Sequence, residues 1–124
     1  MNKVLVVDDS RSMRAILART LKEIGLEVLE AENGREALGV LEANKTQVPL
    51  ILLDWDMPEM NGLDTLKRLR QNPEFASMVV VMVTAQAEMD HIVEALEAGA
   101  NEYVMKPFTK EILLGKLELT GIQL

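Results

Sequence analysis

The chain has 124 residues, 48% of them hydrophobic, which is enough for one domain with its own core and too apolar for a disordered chain. The net charge of −7 argues against direct nucleic-acid binding, which needs a basic face, and the absence of cysteine removes disulfides and thiolate metal sites and suits a reducing, cytoplasmic compartment. The apolar run near the N-terminus stops at Asp8-Asp9, too short for a signal peptide or a membrane span, so no membrane association is expected.

Lys3 to Val7 reads as a first strand, closed by Asp8-Asp9-Ser10. Met13, Ile16, Leu17, Thr20, Leu21 and Ile24 then recur at helical spacing, with Arg14, Arg19 and Lys22 between them, and Gly25 stops this helix. Glu27 to Glu30 is a short second strand. Asn33-Gly34 turns the chain into a second helix carrying Ala37, Leu38 and Leu41, where Gly39 costs roughly 1 kcal/mol against Ala. Asn44 to Pro49 is a loop. Leu50 to Leu53 is wholly apolar and short, the pattern of a strand buried on both faces, and Asp54 stands where it ends. Met57-Pro58 and Asn61-Gly62 mark a loop, because Pro and Gly punctuate regular structure. Leu63, Leu66 and Leu69 mark a third helix that stops before Asn72-Pro73. Met78 to Val83 is the longest β-branched run and gives a fourth strand. Met89, Ile92, Val93 and Leu96 give a fourth helix, ended by Gly99. Tyr103 to Met105 is a fifth strand, and Ile112, Leu113 and Leu117 give a fifth helix. Five β-α units in succession predict an α/β fold, a parallel sheet with helices on both faces and right-handed crossovers. One domain over residues 1–124 is expected, with no repeat and no second domain.

In such a sheet the carboxyl ends of the strands share one edge, where open α/β sheets place their ligands. The first strand delivers Asp8 and Asp9, the third Asp54 with Asp56 two residues on, the fourth Thr84-Ala85 and the fifth Lys106-Pro107. If the first and third strands are neighbours, three carboxylates converge. Like charges about 4 Å apart repel by roughly 1 kcal/mol in water and about 4 kcal/mol at a surface-like dielectric. A bound cation is therefore expected, and hard oxygen ligands without Cys or His suit Mg²⁺. A lysine and a hydroxyl beside a metal are the parts that stabilise a transferring phosphoryl group. A carboxylate can itself be the nucleophile, and Asp54, central and at the end of the most buried strand, is the candidate.

Asp8-Asp9, Asp54, Thr84-Ala85 and Lys106-Pro107, at these places in a five-fold β-α chain, closely resemble the receiver domains of two-component response regulators. The likeness runs from the first strand to the fifth helix and is greatest to single-domain chemotaxis members. It implies a flavodoxin-like (βα)5 sandwich with strand order 2-1-3-4-5. It also implies a role for each residue. Asp54 accepts a phosphoryl group from a phosphohistidine on a sensor histidine kinase. Asp9, the Asp54 carboxylate and the backbone carbonyl of Asp56 ligate Mg²⁺, and Asp8 acts through a bound water. Lys106 pairs with the phosphoryl oxygens, and its bond to Pro107 is cis. The Thr84 hydroxyl moves to the phosphoryl group and Tyr103 swings inward behind it. The fourth helix, fifth strand and fifth helix then present a changed face to a docking partner. The implied protein is a monomer with no output domain and no turnover of an external substrate. The flagellar motor switch is the first partner to expect. A histidine phosphotransferase, served by a phosphorelay intermediate, is the second. Two positions depart from the best-known chemotaxis members: Asp56 stands where they often carry Asn, and Gln86 where they often carry Glu. Both flank the path of the hydrolytic water, so both are expected to alter the phosphoryl lifetime, with the sign open.

Plainer readings accompany these. Asp8-Asp9-Ser10 also suits a helix N-cap, Lys106 a surface lysine and Tyr103 plain core. His91 lacks partner ligands and reads as a surface or boundary residue, not a phosphorelay histidine. The Met residues are scattered gap-fillers, Glu94 and Glu97 a solvated face, and Trp55 a reporter beside Asp54. Asp54-Trp55-Asp56 also matches the DxD of haloacid-dehalogenase-type phosphatases. That family places its DxD after the first strand and usually carries a cap, whereas here the motif follows the third strand and no segment is long enough for one. A flavodoxin-like cofactor binder is set aside, because Asp8 and Asp9 would repel a phosphate at the first loop.

Overall fold

Side-chain caps set where the helices begin. Ser10, Asn33, Asn61 and Thr109 each accept a hydrogen bond from the backbone N–H three residues on, satisfying donors that a helix start leaves open. In the computed structural model, which describes residues 3–85 and 89–122, the order is β1 (Lys3–Val7), α1 (Arg11–Glu23), β2 (Glu27–Ala31), α2 (Gly34–Ala43), β3 (Leu50–Asp54), α3 (Gly62–Gln71), β4 (Val79–Thr84), α4 (Met89–Glu97), β5 (Glu102–Met105) and α5 (Lys110–Leu119). The expected loop between α2 and β3 contains a short 3-10 turn, Lys45–Gln47. Asp54 and Thr84 are the last residues of their strands, one position beyond the apolar runs that announced them.

The five strands form one parallel sheet in the order β2-β1-β3-β4-β5. Side chains alternate across it. Leu5, Ile51, Leu53 and Met82 face α2, α3 and α4, meeting Leu41, Leu66, Leu69 and Ala95. Val4, Val6, Leu50, Leu52 and Val81 face α1 and α5, meeting Leu17, Leu21, Leu113 and Leu117. Every residue of β3 is buried, as its unbroken apolar run predicts.

Two contacts fix the helices on the first face. A Cβ on Gly34 would lie 1.9 Å from the Thr65 hydroxyl oxygen, so glycine is what lets α2 close on α3. The Gly34 N–H also donates to the Met60 carbonyl at 3.4 Å, and the Asn33 amide donates to Glu59 at 3.0 Å. Farther along, Arg70 at the end of α3 donates to the carbonyls of Gly99 (2.7 and 2.9 Å), Met78 (2.7 Å) and Ala76 (3.1 Å) and to the Asn101 side chain (2.9 Å). One guanidinium thus gathers the approaches to β4 and β5.

Some positions that marked helices do not face the core. α4 buries Ile92 and Ala95 but leaves Val93 and Leu96 45% and 43% exposed; α1 exposes Ile16 and α5 exposes Ile112. Apolar spacing groups residues on a helix; it does not say which group turns inward when two groups compete.

Candidate functional site

β1 and β3 are neighbours, with Val7 opposite Leu53, so the residues that follow them meet. β4 and β5 continue the edge, with Asp54 opposite Val83 and Thr84 opposite Met105. The topology therefore brings Asp8, Asp9, Asp54, Thr84 and Lys106 to the carboxyl ends of adjacent strands. Carboxylate oxygens of Asp8, Asp9 and Asp54 all lie within 4.8 Å of one another. The Lys106 ammonium stands 2.7 Å from Asp8 Oδ2 and 3.4 Å from Asp54 Oδ1. Asp8, Asp54 and Thr84 are buried and Asp9 is exposed.

Each group is held from below. The Lys106 N–H donates to the Thr84 carbonyl at 2.8 Å, and the Lys106–Pro107 peptide is cis, as the resemblance implied. The Asp8 N–H donates to the Ala31 carbonyl, its Oδ1 accepts from the Ser10 N–H at 2.8 Å, and its carbonyl accepts from Arg14. Ser10 caps α1 through Met13, so capping and acid placement share one turn. After β3 the chain folds back tightly: the Gly62 N–H donates to the Trp55 carbonyl at 2.8 Å, and a Cβ on Gly62 would sit 2.1 Å from the Asp54 carbonyl oxygen. Only glycine fits there. Asp56 is exposed two residues beyond Asp54, and Gln86 lies outside the described residues.

Burial raises the Asp54 carboxyl to about 6, with the Asp8 charge pushing the same way and Lys106 opposing both. Burial also pulls the Lys106 ammonium down, but its hydrogen bond to Asp8 and the charges of Asp54 and Asp8 outweigh it and leave it raised. Two of the three clustered carboxylates, Asp8 and Asp54, thus share one ammonium. The oxygens of all three are hard, close together and open to solvent on the Asp9 side, a donor set that fits a small divalent cation such as Mg²⁺.

Tyr103 lies opposite Met82 on β5, half-buried against the α2–α4 side of the core, with the Lys116 ammonium 4.2 Å from its ring centre. Three features were not read from the sequence. Trp55 stacks on His91 of α4, ring centres 4.6 Å apart and planes 14° apart, which joins the residue after Asp54 to α4. Lys116 also pairs with Glu102 at 3.5 Å. Arg14, taken for a polar position of α1, is buried; its place three residues before Leu17 and seven before Leu21 puts it on the inward stripe, and that spacing was the signal available.

The model of the response regulator receiver domain family matches residues 4–118. The chain is 46% identical over 118 residues to the chemotaxis protein CheY1 of Helicobacter pylori, covering 94% of each, and 40% identical over 117 residues to the chemotaxis protein CheY of Pseudomonas aeruginosa, covering 94% and 93%. Its fold superposes on the solved structure of the chemotaxis response regulator CheY4 of Vibrio cholerae with a TM-score of 0.87, at 36% identity, over 97% of this chain and 98% of that one.

Proposed function

We propose, on the premise that this chain belongs to the response regulator receiver domain family, that it is a Mg²⁺-dependent phosphoacceptor switch with Asp54 as the nucleophile. The observation that carries this reading is the convergence of Asp8, Asp9 and Asp54 within 4.8 Å, with Lys106 reaching two of them. An Asp54 oxygen attacks the phosphorus of a phosphohistidine on a sensor histidine kinase. The P–N bond breaks, the electron pair leaves with the imidazole, and Asp54 becomes an acyl phosphate. Asp9, Asp54 and the Asp56 carbonyl would hold the cation, with Asp8 acting through water. Mg²⁺ supplies charge neutralisation for the transferring group and its oxygens. Lys106, already within reach of both carboxylates, pairs with the phosphoryl oxygens, and the Thr84 hydroxyl is drawn to them from the end of β4. Tyr103 follows inward. Hydrolysis of the acyl phosphate resets the switch, at a rate tuned by Asp56 and Gln86, and no external substrate is turned over.

The output is docking. Val93 and Leu96 of α4, Met105 of β5 and Ile112 of α5 are large apolar side chains left exposed, a surface suited to a protein partner. The names of the relatives place those proteins in chemotaxis, which supports the flagellar motor switch as the partner here. The protein works in the cytoplasm as a monomer; among the described residues no helix is long and apolar enough to cross a membrane.

Trp55, next to Asp54, gives the test. Its emission should change saturably with Mg²⁺ and change again with beryllofluoride or acetyl phosphate. The second response should need Mg²⁺ and vanish in Asp54→Asn. A wild type silent to both additions would remove the switch reading.

A further inference from the structure

Arg14 is the one arginine that α1 turns inward. Its side chain is 10% exposed, its guanidinium donates to the carbonyl of Asp8, and it pairs with Glu30 at 3.2 Å and Glu32 at 3.8 Å. The acceptor is the informative part. The Asp8 carbonyl and the Asp9 N–H belong to one rigid peptide plane, so a donor that fixes the first fixes the second. The Asp8 side chain has other support, from Ser10 and Lys106. The Asp9 side chain has none: among the described residues it makes no hydrogen bond and no ion pair. Where Asp9 points therefore depends on its backbone, which the Ser10 N–H closes into a turn on Asp8 Oδ1 and whose Asp8 carbonyl Arg14 holds.

Charge alone would make Arg14 a poor neighbour for a cation site. Glu30 and Glu32 change that balance: with Arg14 they form a trio whose formal charge is negative, so the guanidinium supplies its geometry without repelling an incoming divalent ion. Glu30 and Glu32 belong to and directly follow β2, the strand beside β1, so the trio spans the neighbouring edge of the sheet.

We infer that Arg14, held by Glu30 and Glu32, is a positioning residue for cation binding, orienting the Asp8–Asp9 peptide so that Asp9 faces Asp54. This rests on the reading of Asp8, Asp9 and Asp54 as a Mg²⁺ site. Groups that orient metal ligands from behind commonly cost about 10- to 100-fold in metal affinity when removed.

The test is the Mg²⁺ dissociation constant, read from Trp55 emission and by calorimetry, for wild type, Arg14→Met, Arg14→Lys and the exposed control Arg19→Met. Titrations are run where circular dichroism shows each protein fully folded, so a loss of stability alone leaves the constant unmoved. Removing a positive charge near the site would by electrostatics tighten Mg²⁺ binding; loss of positioning weakens it. The expected result is about 10- to 100-fold weaker binding in Arg14→Met, an intermediate loss in Arg14→Lys, which keeps the charge but not the planar fork, and no change in Arg19→Met. Should Arg14→Met fail to fold, Arg14→Lys decides alone. Wild-type binding with unchanged or tighter binding in the Arg14 variants overturns the inference and leaves the metal reading standing. A wild type that binds no Mg²⁺ removes both.

Discussion

The Asp54 carboxyl is raised from an ordinary 3.8 to about 6, first by burial and then by the facing Asp8, with Lys106 compensating only in part. A carboxyl raised in the folded state binds its proton more tightly there than in the unfolded chain. The stability this contributes is complete below the ordinary value and is lost as pH climbs through about 6. Above that window, the ionised Asp54 works against the fold. In chelator, Asp54→Asn should therefore melt higher than wild type at pH 7.5, and thermal scans should show the advantage shrinking toward nothing at pH 4. An equal or lower melting temperature at pH 7.5 would mean that Lys106 compensates fully. At this scale the sequence was legible where a residue type announces its chemistry at a strand end, as Asp8, Asp9, Asp54, Thr84 and Lys106 do. It was less so where function passes through a neighbour. Whether Arg14 lies under the Asp8 carbonyl depends on how α1 is rotated on the sheet, and one inward arginine among several outward ones leaves a weak mark on the pattern.

Arg70 shows what ties one element to the next. It gives hydrogen bonds to three backbone carbonyls and one side-chain amide from the end of α3. Arg70→Ala leaves the part-buried Gly99 and Met78 carbonyls short of donors, and urea denaturation should show a loss of roughly 2–4 kcal/mol. Arg70→Lys should recover less than half of it, because an ammonium cannot fork between Gly99 and Met78. The helices proposed to meet a partner behave differently. Val93 and Ile112 are 45% and 51% exposed, so Val93→Asp or Ile112→Asp should change stability by roughly 0.5 kcal/mol or less while weakening partner binding in a pull-down with the activated protein. Comparable unfolding but intact binding would move the docking surface elsewhere. Element positions were readable because buried parallel strands are nearly continuous apolar runs and the helices repeat apolar residues at three- and four-residue spacing. The inward face of α4 was not, because Val93 and Leu96 are as apolar as Ile92 and Ala95, and only the sheet decides between them.

Across the whole molecule, β-α alternation fixes a parallel sheet but not which strands are neighbours. The adjacency of β1 and β3, on which the acid cluster depends, is implied by the family resemblance and is present in the sheet. The pairing of Val7 with Leu53 leaves no local trace in a single sequence, since the intervening helices could bridge several alternative orders. The stack of Trp55 on His91 is illegible for the same reason: nothing near either residue names the other.

Gly34 carries one further consequence. Its missing side chain lets α2 lock against Thr65, and Asn33 and Met60 fasten the same corner, so the β3–α3 loop is pinned on one flank. On the other flank the loop meets α4 through two flat stacked rings, Trp55 and His91. If Asp54 is phosphorylated as proposed, a push from it would meet the fastened corner on the α2 side and a face-to-face ring contact on the α4 side, so the displacement would be directed toward α4. Hydrogen exchange with and without beryllofluoride should show altered protection in residues 89–105 and silence in 34–43. Equal change on both flanks would mean that the corner at Gly34 is no anchor.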